Sequence, residues 1–279
     1  MTSPTSAPAP QPDRWTAALR LYGGAVFLFI YAPLAVVILY AFHTESIIAW
    51  PLRLGTLHWF TVLAHDRGML LAAWASVKLA LLAVLITLVV GIPGAFVLDR
   101  AEFPGKAAFR QLVMLPLILP GIITGVALLS YVSLLHLSLS SGFPIVPGWP
   151  VVIAHGAALT SVVVTQVFAR LQRVDRALED ASADLYADEW RTFRYVTLPT
   201  IRTAVLGAAL LVFTLSLDEI AVTFFLIGRQ NTLPLQIWGL LRRGITPEVN
   251  AAATLIFALS LVIIVWWSSL TRDPTASTP

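Results

Sequence analysis

The sequence predicts an all-α integral membrane protein with six transmembrane helices and both termini in the cytoplasm. Three observations predict it. First, of 279 residues 58% are hydrophobic and only 12% charged, against about 25% charged in an average soluble domain. So few charges cannot coat a globule in water, and a bilayer is the natural solvent. Second, six apolar runs approach or exceed the roughly 20 residues that a helix needs to cross the hydrocarbon. Third, Lys and Arg fall unevenly between the two sides. With the N-terminus inside, the tails and the second and fourth loops hold twelve of them and the other loops five, with Lys78 at a border. That bias orients the chain.

Residues 1–20 are expected to form a disordered cytoplasmic tail, since 1–13 are rich in Pro, Ser, Thr and Ala and bury little apolar area. The first span, 21–42, has no Lys, Arg, Asp or Glu. It is too long for a cleaved signal peptide and is expected to stay as an anchor. Trp50, Trp59 and Phe60 follow it, aromatic residues of the kind that sit at a membrane interface. The main transmembrane domain is expected over 71–270, with spans near 75–98, 112–135, 151–168, 203–227 and 251–270 and a polar loop over 169–202. Residues 271–279 are a second cytoplasmic tail. Within 112–135, Pro116 and Pro120 each remove a backbone donor and kink the helix. Such kinks serve either packing or a water-lined path. His155, inside the fourth span, reads as a hydrogen-bonding partner for a neighbouring helix. Pro234 and Pro247 each suit the opening of a helix, with Thr246 as a cap before the last span.

Composition excludes several functions. There is no cysteine, hence no disulfide, thiolate metal site or cysteine nucleophile. A net charge of +3 is too small to imply nucleic acid. The phosphate-binding G-x-x-x-x-G-K-[ST] is missing, as are H-E-x-x-H and G-x-S-x-G. The chain therefore carries no catalytic set, no metal site and nothing with which to hydrolyse ATP.

The longest polar stretch is EDASADLYADEWRTFRYVTLP, Glu179 to Pro199, with five acids from Glu179 to Glu189. Leu178, Ala181 and Leu185 share one face of a short helix. Asp175 can cap it, and Glu179 and Asp180 suit its dipole. Asp188 can cap a second helix with Trp190, Phe193 and Val196 on its apolar face, and Pro199 is expected to turn the chain towards the fifth span. An apolar ridge flanked by acids fits a partner groove with basic rims. A helix lying on lipid headgroups favours Lys and Arg instead.

This stretch resembles the EAA loop of ABC importer permeases, whose pattern is Glu-Ala-Ala, three residues, Gly, nine residues, an aliphatic residue, one residue, then Leu-Pro. Asp180, Ala181 and Ser182 take the first three places. Tyr186 takes the Gly place, Val196 the aliphatic one, and Leu198 and Pro199 close it. Every spacing holds, with Asp for Glu, Ser for Ala and Tyr for Gly as the departures. The resemblance implies that Glu179, Asp180, Ala181, Ser182, Asp184, Leu185, Tyr186, Ala187, Val196, Leu198 and Pro199 form the segment that docks an ATPase.

The fifth span contains FTLSLDEIAVTFFLIG, with Asp218 and Glu219 inside an apolar run. Ionisable groups in hydrocarbon are costly and face a bundle interior or a water-filled path. Together with Pro116 and Pro120 they are the candidate translocation-path residues, and paired acids favour a cationic solute. The alternatives are hydrogen bonds to other helices, or a proton relay in a secondary transporter, which usually shows paired halves.

FTLSLDEIAVTFFLIG, the following TLPLQIWGLLRRGITPEVNAAATLIF, LPLILPGIITGVALL and AHGAALTSVVVTQVFARLQRVDRALEDA together resemble the spermidine/putrescine subgroup of type I importer permeases. The resemblance covers about 75–270. It implies a bacterial inner-membrane subunit with a sister permease, two ATPase subunits that bind ATP and Mg, and a periplasmic solute-binding protein as partners. It implies no cofactor in this chain, and a small, polyamine-like solute.

Overall fold

A computed structural model describes residues 14–46, 50–137, 148–228, 230–244 and 246–271. Among them the regular structure is helical, apart from one isolated antiparallel bridge between His43 and Leu54. The chain divides into two units, residues 1–65 with 240–279, and residues 66–239.

The first unit contains α1 (Arg14–Ala41), α2 (His58–His65) and α12 (Pro247–Thr271); α12 packs on both of the others. Helix α1 begins earlier than the residue 21 expected, so residues 14–20 are helical rather than tail. The remaining tail residues, 1–13 and 272–279, lie outside the described residues. Most of α1 is exposed, as suits a helix solvated by lipid tails. Beyond it, the Trp59 indole donates to the His43 carbonyl at 2.7 Å. Pro247 opens α12, where a missing N–H costs nothing.

The second unit is built on α3 (Arg67–Arg100). Its N-terminus is capped by Asp66, which accepts from Gly68 and Met69. Next come α4 (Lys106–Ile118), α5 (Gly121–Leu134), α6 (Trp149–Leu171), α7 (Ala177–Asp184), α8 (Glu189–Thr192), α9 (Leu198–Asp218), α10 (Ala221–Leu226) and α11 (Leu233–Arg243), the last running into the first unit. Helices α3, α6 and α9 pack against one another around Ala95, Val163, Val167, Ile201, Ala208 and Val212. Lipid tails are as apolar as leucine, so close approach and dispersion hold such helices together. Gly156 and Gly91 allow that approach. A β-carbon at Gly156 would lie 2.6 Å from Ile86, and one at Gly91 2.8 Å from Val163.

Among the described residues, four helical runs are long and apolar enough to cross a membrane: Trp15–Ala41, Arg67–Arg100, Trp149–Leu171 and Glu189–Asp218. The single kinked span expected over 112–135 is two helices, α4 and α5, bent by 103°. Pro120 has no N–H to give the preceding turn, and its ring drives Leu119 out of the helical region. Leu119 accordingly has ψ 132° and Pro120 ψ 131°. Counted as one span, this pair is the fifth. The apolar part of α12, Pro247–Val262, is shorter and corresponds to the sixth run in the sequence.

Candidate functional site

The polar segment forms the expected pair of short helices. Asp175 Oδ1 accepts from the Ala177 amide at 3.0 Å, which closes the entry to α7. The helix ends in a pair of bonds, Tyr186 N–H to the Ala183 carbonyl at 2.9 Å and Ala187 N–H to the Ser182 carbonyl at 3.2 Å. That pairing needs a left-handed residue between helix and exit, normally glycine. Tyr186 supplies it with φ +62°. Its side chain is 95% exposed, so what it has in common with glycine is the backbone conformation alone.

Helix α8 is capped as the sequence predicts, by Asp188 Oδ1 accepting from the Arg191 amide at 2.7 Å. Ser182 and Thr192 join α7 to α8 through their hydroxyls, 3.0 Å apart. The Trp190 and Phe193 rings lie 5.7 Å apart, and Phe193 meets Phe96 of α3 at 5.8 Å. Leu178, Ala181 and Leu185 form one exposed face, and Asp180 and Asp184 are exposed beside it. Glu179 points the other way. Its carboxylate receives the Arg100 guanidinium and, at 2.6 Å, the Thr197 hydroxyl.

Val196 is half-buried, and Leu198 packs against the core of α3, α6 and α9. Pro199 does not turn the chain. Residues Glu189–Asp218 form one 30-residue helical run in which Phe193–Thr197 are a π-helical turn, with Leu198 N–H bonded to the Phe193 carbonyl. A proline inside a helix leaves the carbonyl four residues back unpaired and crowds it. A widened turn immediately before Pro199 accommodates both effects, and π-bulges are a recognised form of such adjustment.

The second cluster lies where two helices break. The continuous span expected over 203–227 stops at Asp218. Glu219 is extended, with ψ 116°, and its Oε1 accepts from the Val222 amide at 2.8 Å, starting α10. This break meets the Leu119–Pro120 break, because α5 packs on α10. A β-carbon at Gly121 would sit 3.4 Å from Glu219 Oε1, and one at Gly125 would sit 2.7 Å from Phe225 and 3.2 Å from the Ala221 carbonyl. Between the breaks is a cavity of about 210 Å³ lined by Pro116, Thr124, His155, Leu215, Glu219 and Val222, among others. Buried His155 spans the second break, with Nδ1 2.8 Å from Ser216 Oγ and Nε2 2.9 Å from Thr223 Oγ1. Of the four path candidates, Pro116 and Glu219 line this cavity, Pro120 precedes α5 at its edge, and Asp218 is exposed.

Residues 91–271 match the family described as "Binding-protein-dependent transport system inner membrane component". The chain belongs to this family of type I ABC permeases. Among curated relatives, it is 33% identical over 267 residues to the putrescine transport system permease protein PotI of Escherichia coli (strain K12), covering 92% of this chain and 91% of that protein. It is 32% identical over 249 residues to the spermidine/putrescine transport system permease protein PotC of Haemophilus influenzae, covering 88% and 93%. A solved bacterial ABC transporter involved in the import of the acidic polysaccharide alginate superposes with a TM-score of 0.67 at 15% identity, over 96% of this chain and 99% of that one. At that identity the likeness speaks for the fold.

Members of this permease family are non-catalytic membrane subunits without a cofactor of their own. Among the described residues of this permease, no group of three or more His, Asp or Glu could hold a metal ion. Sequence reasoning missed the polar residues that anchor the α7–α8 segment. Asp99, with its side chain nearly buried, accepts from the Gln172 amide group and from Arg176 at 3.3 Å. Arg100 grips Glu179 and stacks on Phe96, 4.7 Å from the ring centre. The one available signal was the Asp-Arg pair ending an apolar span, which the sequence alone presents as an ordinary span boundary.

Proposed function

We propose that this permease forms half of the translocation path of a bacterial inner-membrane importer and moves a small cationic, polyamine-like solute inward by alternating access. Its six spans put both termini, α7 and α8 in the cytoplasm. There the exposed Leu178–Leu185 face, rimmed by Asp180 and Asp184, seats in one of two ATPase subunits. A sister permease completes the path, and a periplasmic binding protein delivers solute. Closure of the ATPase pair pulls on α7, and α9 carries the motion to the cavity at Glu219.

The observation that carries this reading is the exposed α7 face, in the register of the family's docking motif, on a chain without an ATP-binding loop. The polyamine-like solute is supported by the curated relatives and by the acid that lines the cavity. A proton-coupled carrier based on Asp218 and Glu219 finds no support in the family assignment. Deleting residues 176–190 from the tagged permease, co-expressed with its partners, provides the test. The expected result is loss of the ATPase from the purified complex with the permease still inserted in the membrane. Retention of the ATPase contradicts the proposal.

A further inference from the structure

Helix α7 could transmit force in two ways. One is along the chain, through Leu185–Asp188 into α8. That path is a solvent-exposed turn, and a turn is a compliant element. The other is directly across space, through side-chain bonds: Ser182 to Thr192 of α8, and a second set centred on Glu179. Arg100, at the last turn of α3, donates to Glu179 of α7. The same Glu179 oxygen accepts from Thr197 at 2.6 Å. Thr197 is 2% exposed and is the final residue of the π-helical turn, immediately before α9. Asp99 next to Arg100 holds the run-in to α7 through Gln172 and Arg176. The adjacent acid and base thus fix Glu179 and the segment that leads into it.

We infer that Glu179, clamped by Arg100 and bonded to Thr197, is the positioning joint through which movement of α7 is delivered to α9. The inference rests on the proposed docking of an ATPase to α7, and it concerns a residue that faces away from that partner. Charge-assisted hydrogen bonds to a carboxylate are shorter and about twice as strong as neutral ones; here the Glu179 side chain is 15% exposed and that of Arg100 42%, so the carboxylate end is the sheltered one. A rotation of α7 therefore carries Thr197 with it, and the one-piece run from Glu189 to Asp218 extends the displacement to the second helix break.

The test uses the full importer in proteoliposomes, with binding protein and putrescine as the probe solute, and reads solute moved per ATP hydrolysed alongside ATPase co-purification. Glu179→Ala and Arg100→Ala are expected to keep the ATPase bound and to lower the transport-to-hydrolysis ratio about tenfold, the scale of one lost charge-assisted bond. Arg100→Lys, which keeps the ion pair, is expected to return the ratio to within about threefold of the parent. Thr197→Val keeps the shape and removes only the hydroxyl. It is expected to lower the ratio with the ATPase retained, and it serves if the alanine variants fail to assemble. An unchanged ratio in Thr197→Val, or a loss in Arg100→Lys as deep as in Arg100→Ala, overturns the inference while leaving ATPase docking intact. A parent permease that holds no ATPase overturns the docking proposal, and this inference with it.

Discussion

His155 on α6 reaches Ser216 on α9 at 2.8 Å, and with its other ring nitrogen it holds Thr223 beyond the break at 2.9 Å. One imidazole thus ties α9 to α10 across the interruption at Asp218 and Glu219. Replacing it with leucine leaves two buried hydroxyls to find other partners. Thr223 retains a bond to the Glu219 carbonyl at 2.9 Å, which tempers the loss. His155→Leu is expected to destabilise the protein by about 1–3 kcal/mol, read as a lower unfolding midpoint in mild detergent. A midpoint equal to the parent's would show that the bridge contributes nothing.

The glycines of α5 make a second prediction. Gly125→Ala places a methyl group 2.7 Å from Phe225 and 3.2 Å from backbone atoms of Ala221 and Val222. The ring can swing but the backbone cannot, so α5 must back away from α10. A cost of about 1–3 kcal/mol is expected from such overpacking. Gly207→Ala on α9 meets nothing within 4 Å and is expected to stabilise by about 0.5–1 kcal/mol through helix propensity. The two unfolding midpoints should therefore move in opposite directions.

Tyr186 makes a third. Its left-handed conformation costs an L-residue roughly 1–2 kcal/mol, which glycine avoids. Tyr186→Gly is expected to tighten the end of α7, with slower hydrogen exchange at the Tyr186 and Ala187 positions, whose amides bond Ala183 and Ser182. Tyr186→Val, β-branched, is expected to speed exchange at the Ala187 amide. Equal exchange in both variants would mean that the helix end is not governed by this residue.

Much of this architecture is legible in the sequence. Long apolar runs give α3, α6 and α9 because length and composition alone decide them. The caps at Asp175 and Asp188 are legible because a cap is a local bond. What escapes is what long-range packing decides. The sequence shows Pro116 and Pro120, and a hundred residues later Asp218 and Glu219, but not that the two interruptions line one cavity. Glu179 reads in the sequence as a helix-dipole acid of the segment expected to dock an ATPase, not as an inward-facing anchor, since its partner Arg100 lies in another helix. Pro199 reads as a turn because the π-helical turn that accommodates it has no sequence signature of its own. Tyr186 reads as a departure from the motif, although its backbone meets the same left-handed requirement that glycine serves.

The cavity supplies a fourth prediction. Glu219→Gln keeps an oxygen to accept from Val222 and removes the charge, so the helix start survives. If Glu219 attracts a cationic solute, uptake of putrescine is expected to fall about tenfold, the order of one lost charge contact, with the unfolding midpoint nearly unchanged. Uptake at the parent rate would remove Glu219 from the path.

The central claim is that the exposed face of α7 meets an ATPase on the inner side of the membrane. Because the chain has no cysteine, Leu185→Cys creates a single reactive thiol on that face. In intact cells expressing the importer, the account predicts no labelling by a membrane-impermeant maleimide and, in inverted vesicles, a crosslink from this thiol to the ATPase subunit. Labelling from outside intact cells, with no crosslink to the ATPase in inverted vesicles, would contradict it.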